Sequence, residues 1–180
     1  MTVLAVKNYK DRIEIATDSG GFYGNSGAKD ENFQKLFEVN NIIFCSTGSC
    51  SESNQFELFC QNRKPEGNKR LDILRFFVEF RKWIISEFSK TFKDDKILEN
   101  NYFFYYQEKL YHIWNNLDIY EIKEGEFDSN GAGFREAKTA LYLNKSPREA
   151  VEVCIKINCW TAGKIQEKII YKNKNKRNNE

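Results

Sequence analysis

Histidine is nearly missing from this sequence. His112 is the only one among 180 residues, so a Ser-His-Asp or Cys-His unit has one imidazole to draw on, and a three-histidine metal site is excluded. It sits in the alternating stretch Lys109–Trp114 and reads as a surface or packed strand residue rather than a catalyst. Proline occurs twice and methionine once. The five cysteines (Cys45, Cys50, Cys60, Cys154 and Cys159) form no CxxC pair and are odd in number. That pattern points to neither a zinc site nor a disulfide framework. They read as small buried hydrophobes in a reducing compartment. No uncharged apolar run approaches the ~18 residues of a membrane-spanning helix. The N-terminus is charged from Lys7 onward and has no apolar h-region; a signal peptide is not expected, and an intracellular, cytoplasmic protein is.

What is present describes a folded chain. Hydrophobic residues at 41% with aromatics at 15% supply a core, and 30% charged residues a soluble surface, which argues against disorder or a fibre. The length predicts one domain, over residues 1–171, followed by a basic polar tail at 172–180 that is expected to be disordered. Net charge is +2, but the last ten residues hold four basic residues and one acid. The other 170 therefore carry 24 basic and 25 acidic residues, and a near-neutral body lacks the basic stripe of a nucleic-acid surface.

Strand-length apolar runs open the chain at Val3–Val6 and Ile13–Ala16, joined across a polar turn, and predict a hairpin. A glycine-rich loop runs from Gly20 to Gly27. A second hairpin, Gln34–Val39 and Ile42–Thr47, turns at Asn40-Asn41, a pair tolerant of left-handed geometry. Helices are predicted over Glu52–Asn62, capped by Ser51 or Ser53, and over Leu71–Phe88, where Leu74, Phe77, Val78, Ile84, Ile85 and Phe88 keep a helical period. Short strands follow at Tyr102–Tyr106, Lys109–Asn115 and Asp118–Lys123. Gly131-Ala132-Gly133 leads into a helix at Phe134–Leu143. Ser146-Pro147-Arg148-Glu149 starts another that runs toward Cys159 or Trp160, and Ile165–Tyr171 supplies a closing strand. Two strand groups, each followed by a helix pair, predict an α+β, four-layer αββα sandwich of two antiparallel sheets with helices outside. The Phe76/Phe80/Trp83 face of the long helix is a candidate contact for assembly.

Certain residues resemble a known family. An early threonine, Asp18-Ser19, Lys35-Leu36, Thr47-Gly48-Ser49, Gly131-Ala132-Gly133 and the closing SPREA helix are similar in order and spacing to the proteasome β subunit and HslV-type peptidases, which are N-terminal nucleophile hydrolases. The resemblance spans roughly residues 1 to 171. It implies that Thr2, once Met1 is removed, carries both nucleophile and base, because a hydroxyl needs a base and an α-amine with a reference pKa of about 8 suits that work near neutrality. It further implies that Lys35 favours the ionised hydroxyl, that Asp18 holds the lysine charged, and that the Gly48 N–H stabilises the oxyanion. Asn158 and Thr161 match the family's positions near the amine, and Ser19 and Gly21 those along the substrate cleft.

The implied activity is a threonine peptidase that cuts unfolded peptide segments without a metal or organic cofactor. The implied assembly is a homo-oligomeric ring, fed by an ATPase unfoldase, with no nucleic acid or membrane partner. Three departures keep a second reading open, that of a non-catalytic assembly subunit. Ala132 stands where the family has serine, and Asn158 where it has aspartate. Counted from Thr2, Asp18 and Gly48 fall at the family spacing and Lys35 one residue late; with the extra residue placed in the NYKDR turn, Met1 takes the threonine's position. A one-residue slip reverses the face of a strand. A third reading, an amidase or ligase, shares the Thr2 mechanism and differs in its acceptor.

Overall fold

The computed structural model describes residues 2–22, 29–30, 32–89 and 97–172. Met1, much of the glycine-rich loop and the tail beyond residue 172 lie outside the described residues. In chain order the elements are β1 (Val3–Asn8), β2 (Arg12–Asp18), β3 (Gly21–Phe22), β4 (Lys29–Asp30), β5 (Leu36–Val39), β6 (Ile42–Thr47), α1 (Cys50–Asn62) and α2 (Arg70–Phe88). They continue with β7 (Asn101–Tyr106), β8 (Lys109–Ile113), β9 (Ile119–Glu121), β10 (Phe127–Gly131), α3 (Phe134–Tyr142), α4 (Pro147–Ile157) and β11 (Ile165–Tyr171).

The strands form two main antiparallel sheets, ordered β10-β1-β2-β11 and β5-β6-β7-β8-β9, with β3 and β4 as a separate small ribbon. Period-two alternation divides each strand between two layers. Leu4, Val6, Ile13 and Ile15 from the first sheet meet Ile43, Cys45, Phe103 and Leu110 from the second, and fill the space between the sheets. On its other face the first sheet sends Val3, Ala5 and Ala16 against Leu141, Val151 and Cys154 of α3 and α4. The second sheet sends Phe44, Tyr102 and Phe104 against α1 and α2. The architecture is the expected α+β sandwich, with two sheets inside and a helix pair on each outer face.

Turn chemistry explains the hairpins. Asn40 and Asn41 take φ of 51° and 63°, and Gln107 and Glu108 take 45° and 68°, the left-handed pair that joins twisted strands in two residues. Ser146 caps α4 and Glu149 bonds back to the Ser146 N–H at 2.8 Å, a reciprocal capping box with Pro147 at the first helical position.

Several expectations are corrected. The cap of α1 is Ser49, whose side chain accepts the Glu52 N–H, so the helix begins at Cys50 and not at Glu52. The buried stripe of α2 is Ile73, Phe76, Phe77, Phe80 and Ile84, while Ile85 and Phe88 are exposed. The period is right but the face is rotated, because α2 packs against α1 through Phe56 and Phe59. Phe76 and Phe80 are therefore core, and their face is no contact surface. Cys50 and Cys159 are exposed, unlike the three buried cysteines. The polar strand β10 carries no alternating apolar pattern, and sequence reading passes over it.

Phe56 sits at the centre of the outer core. It is fully buried, with ring centroids of Phe44, Phe77, Phe80 and Tyr102 between 4.6 and 4.9 Å away. Phe56→Ala is expected to cost about 3–5 kcal/mol in urea unfolding, since truncation leaves a cavity between rings that α1 and α2 hold apart. A loss under about 1 kcal/mol would contradict this packing.

Candidate active site

The site is built on the carboxylate of Asp18, the last residue of β2, which is fully buried. Its Oδ1 accepts the Val3 N–H and the Lys35 Nζ, each at 2.9 Å. Its Oδ2 accepts the N–H groups of Gly20 at 3.3 Å and Ala162 at 3.2 Å. Lys35 precedes β5 and is only 6% exposed. Its backbone is fastened by Gln166 on β11, whose Oε1 accepts the N–H groups of Lys35 and Leu36 and whose Nε2 donates to the Phe33 carbonyl. Burial lowers the Lys35 pKa from its ordinary value, with Asp18 opposing that shift and the Cys50 thiol near enough to contribute.

Thr2 immediately precedes the Val3 amide bound by Asp18. It is 8% exposed, and its carbonyl accepts the Ala132 N–H at 2.7 Å. Leu4 and Val6 face the space between the sheets, and Thr2 falls on the same parity of the strand. Gly131, paired with Val3, lies against it: a Cβ there would collide with the Thr2 carbonyl oxygen, and φ is 95°. Glycine is required on both counts.

Gly48 lies across the inter-sheet space from β1, between β6 and α1, at φ 129°. A Cβ there would overlap Asn100 Oδ1 and come within 2.7 Å of the Glu99 carbonyl. The loop is held from beneath. The buried Glu52 carboxylate accepts the N–H groups of Glu99 and Asn100 and the Tyr102 hydroxyl, all at 2.9 Å. Asn100 in turn bonds the Ser49 N–H through Oδ1, and the Ser49 carbonyl and Ser53 hydroxyl through Nδ2. The neighbouring cleft, about 530 Å³, is lined by Thr47, Gly48, His112, Trp114, Asn130 and Gly131 among others.

The remaining residues singled out from the sequence are engaged in supporting bonds. Ser19 is buried; its hydroxyl accepts the Lys164 N–H at 2.7 Å and its carbonyl the Phe33 N–H. Gly21 pairs with Asp30 in the β3–β4 ribbon. The Thr161 hydroxyl donates to the Cys154 carbonyl at 2.7 Å and lies next to Ala162, a donor to Asp18. Asn158 ends α4, where its Nδ2 donates to the Ala132 carbonyl at 3.3 Å and to Glu136 at 3.0 Å. Sequence reading missed Glu52, Asn100 and Gln166, which carry no motif of their own. It also missed the part played by His112, which is buried and bonded to Asp128 and Asn130. Among the described residues no group of three or more His, Cys, Asp or Glu side chains forms a metal site.

No protein-family model matches the sequence, and no curated protein does either. Solved structures do. The chain is similar to BPH from Thiobacillus denitrificans in complex with epoxomicin, with a TM-score of 0.82 over 95% of this chain and 98% of that one, at 16% identity. It is similar to the eukaryotic HslV from Trypanosoma brucei, with a TM-score of 0.68 over 94% and 99% at 13% identity. It is also similar to Anbu, an ancestral β subunit from Yersinia bercovieri, with a TM-score of 0.70 over 95% and 82% at 13% identity. The fold is the α+β sandwich of these proteasome-like structures.

The Asp18–Lys35 pair yields an asymmetric prediction. Lys35→Met leaves Asp18 with three backbone donors, whereas Asp18→Ala strands those three N–H groups and removes the carboxylate facing a buried ammonium. Asp18→Ala is expected to cost about 3–5 kcal/mol in chemical unfolding and Lys35→Met at least about 1 kcal/mol less. Equal losses would mean that the ion pair, not the backbone bonds, dominates.

Proposed function

We propose that the protein is a threonine peptidase that cleaves peptide bonds through an acyl-enzyme at Thr2, formed after removal of Met1. The observation that carries this reading is the Asp18 carboxylate, bonded at once to Lys35 Nζ and to the Val3 N–H. It supports Thr2 rather than Met1 as the residue beside the charged pair, and it answers the late spacing of Lys35, which reaches Asp18 all the same.

In the proposed reaction the Thr2 hydroxyl attacks the scissile carbonyl and gives its proton to the freed α-amine. A bond forms from Thr2 Oγ1 to carbon, and the carbonyl electron pair moves onto oxygen, which the Gly48 N–H stabilises. Collapse breaks the C–N bond, and the leaving amine takes the proton from the Thr2 ammonium. Water, deprotonated by the same amine, then adds to the acyl carbon; the C–Oγ1 bond breaks, the Thr2 oxygen takes the proton back from the ammonium, and the acid is released. Lys35 supports the ionised hydroxyl, and Asp18 positions Lys35. No metal or organic cofactor takes part.

An extended peptide is the substrate class, lying along Ser19 to Gly21, where the β3 edge can pair with it. The Thiobacillus BPH structure contains epoxomicin, which makes that compound a natural ligand to try. We further propose one domain through residue 171, a cytoplasmic location and a homo-oligomeric ring served by an ATPase unfoldase. Exposed Leu143 and Ile157, lining an apolar groove between α3 and α4, favour assembly. No described helix is long and apolar enough to cross a membrane.

A second reading, a non-catalytic subunit of the same fold, is favoured by Ala132 and Asn158. Ala132 offers no hydroxyl, and the Asn158 amide is spent on the Ala132 carbonyl and Glu136.

Intact mass and hydrolysis of an unfolded polypeptide decide between the two. The peptidase reading predicts a mass lacking Met1 and measurable turnover. It predicts that Thr2→Ala reduces turnover about 10³-fold or more while changing stability by under about 1 kcal/mol. Retained Met1, or turnover unaffected by Thr2→Ala, would sink it.

A further inference from the structure

A continuous chain of hydrogen bonds crosses the mouth of the inter-sheet space. Thr47 Oγ1 donates to Asn130 Oδ1 at 2.9 Å, Asn130 Nδ2 meets His112 Nε2 at 2.9 Å, and His112 Nδ1 meets Asp128 Oδ2 at 2.7 Å. Asp128 Oδ1 accepts Lys138 Nζ at 3.0 Å and the Ser129 N–H at 2.9 Å. Burial alone would raise the Asp128 pKa, but its bonds to His112 and Lys138 outweigh that and lower it.

Donor and acceptor roles fix the direction of the chain. An ionised carboxylate only accepts, so His112 Nδ1 carries the proton. An amide nitrogen only donates, so Nε2 is the bare acceptor. Both ring nitrogens are thus satisfied by the neutral Nδ1–H tautomer. The ring itself is immobilised, 2% exposed, stacked on Trp114 with centroids 3.8 Å apart and packed against Phe103 at 4.6 Å.

The two ends of the chain are significant. Asp128 and Asn130 belong to β10 of the first sheet, and Asn130 precedes Gly131, which pairs with Val3. Thr47 and His112 belong to the second sheet, and Thr47 precedes Gly48. One amide therefore ties the strand that seats Thr2 to the strand that presents Gly48. In the reaction proposed above, nucleophile and oxyanion donor stand on different sheets, so their separation depends on how the sheets are fastened here. We propose that His112 is a positioning residue: as the Nδ1–H tautomer it holds Asn130, and through Asn130 it sets the distance between Thr2 and the Gly48 N–H. It touches no substrate in this role.

This inference rests on the peptidase reading, so its test has one arm that does not. His112→Gln keeps an acceptor near the Nε2 position, whereas His112→Asn keeps a donor near Nδ1 and offers Asn130 nothing. In steady-state hydrolysis of a fluorogenic peptide, His112→Asn is expected to lower kcat about 10–100-fold, with KM changed less than about twofold, because a shift of ~1 Å in a reacting pair costs on that scale. His112→Gln is expected to restore kcat to within about threefold of the parent. In ¹⁵N NMR of the full chain, the parent shows a protonated Nδ1 and a bare Nε2, and the Gly48 amide resonance moves in His112→Asn but not in His112→Gln. Equal kcat in the two variants, a loss confined to KM, a protonated Nε2, or a Gly48 amide unmoved by His112→Asn overturns the inference. If the parent does not hydrolyse peptides, the peptidase reading fails by itself, and the NMR arm alone decides whether His112 sets the Gly48 loop.

Discussion

One buried carboxylate holds the candidate site together. Asp18 lies at zero exposure and gathers four donors from four places in the chain: Val3 on β1, Gly20 after β2, Lys35 before β5 and Ala162 before β11. A carboxylate stripped of water is costly unless each lone pair is met. Here both oxygens are met twice, so the charge becomes a fixed point at which the ends of four segments meet. The lysine in that set supplies counter-charge, and the three backbone donors supply direction.

From that point the geometry follows by strand arithmetic. The bond from Asp18 to the Val3 N–H sets Thr2, one residue earlier, on the parity of Leu4 and Val6, toward the space between the sheets. A slip of one residue would turn that side chain toward α3 and α4. The second sheet brings its own fixed point, the Glu52 carboxylate beneath Glu99, Asn100 and Tyr102. Two buried acids, Asp18 at the end of β2 and Glu52 in the first turn of α1, thus hold the two halves of the candidate site. The polar chain through Asn130 and His112 spans them.

The helices and most strands were legible in the sequence because each has a period and a stop. Asn40-Asn41 announces a hairpin, and Ser146-Pro147 with Glu149 announces α4. Other parts were hidden for physical reasons. Phe127–Gly131 forms a strand, yet its inward residues Asp128 and Asn130 are polar, since they face the open end of the inter-sheet space and are paired there. A strand whose buried face is hydrogen-bonded leaves no hydrophobic alternation to read. The buried stripe on α2 lies one step from the period legible in the sequence, because the face that is covered depends on where α1 packs. For the site, Asp18, Lys35 and Gly48 stood out through the proteasome-like spacing. Glu52, Asn100, Gln166 and His112 did not, because their roles come from partners 16 to 133 residues away in sequence.

The proposed chemistry turns on one atom, the Thr2 hydroxyl oxygen as nucleophile. Covalent capture tests it most directly. The purified protein, incubated with a short peptide bearing a C-terminal epoxyketone, is digested and read by tandem mass spectrometry. A single adduct is expected, carried by the N-terminal peptide and located on Thr2. Labelling of Cys50, the exposed thiol at the start of α1, or the absence of any adduct on a chain that begins at Thr2, would overturn that assignment.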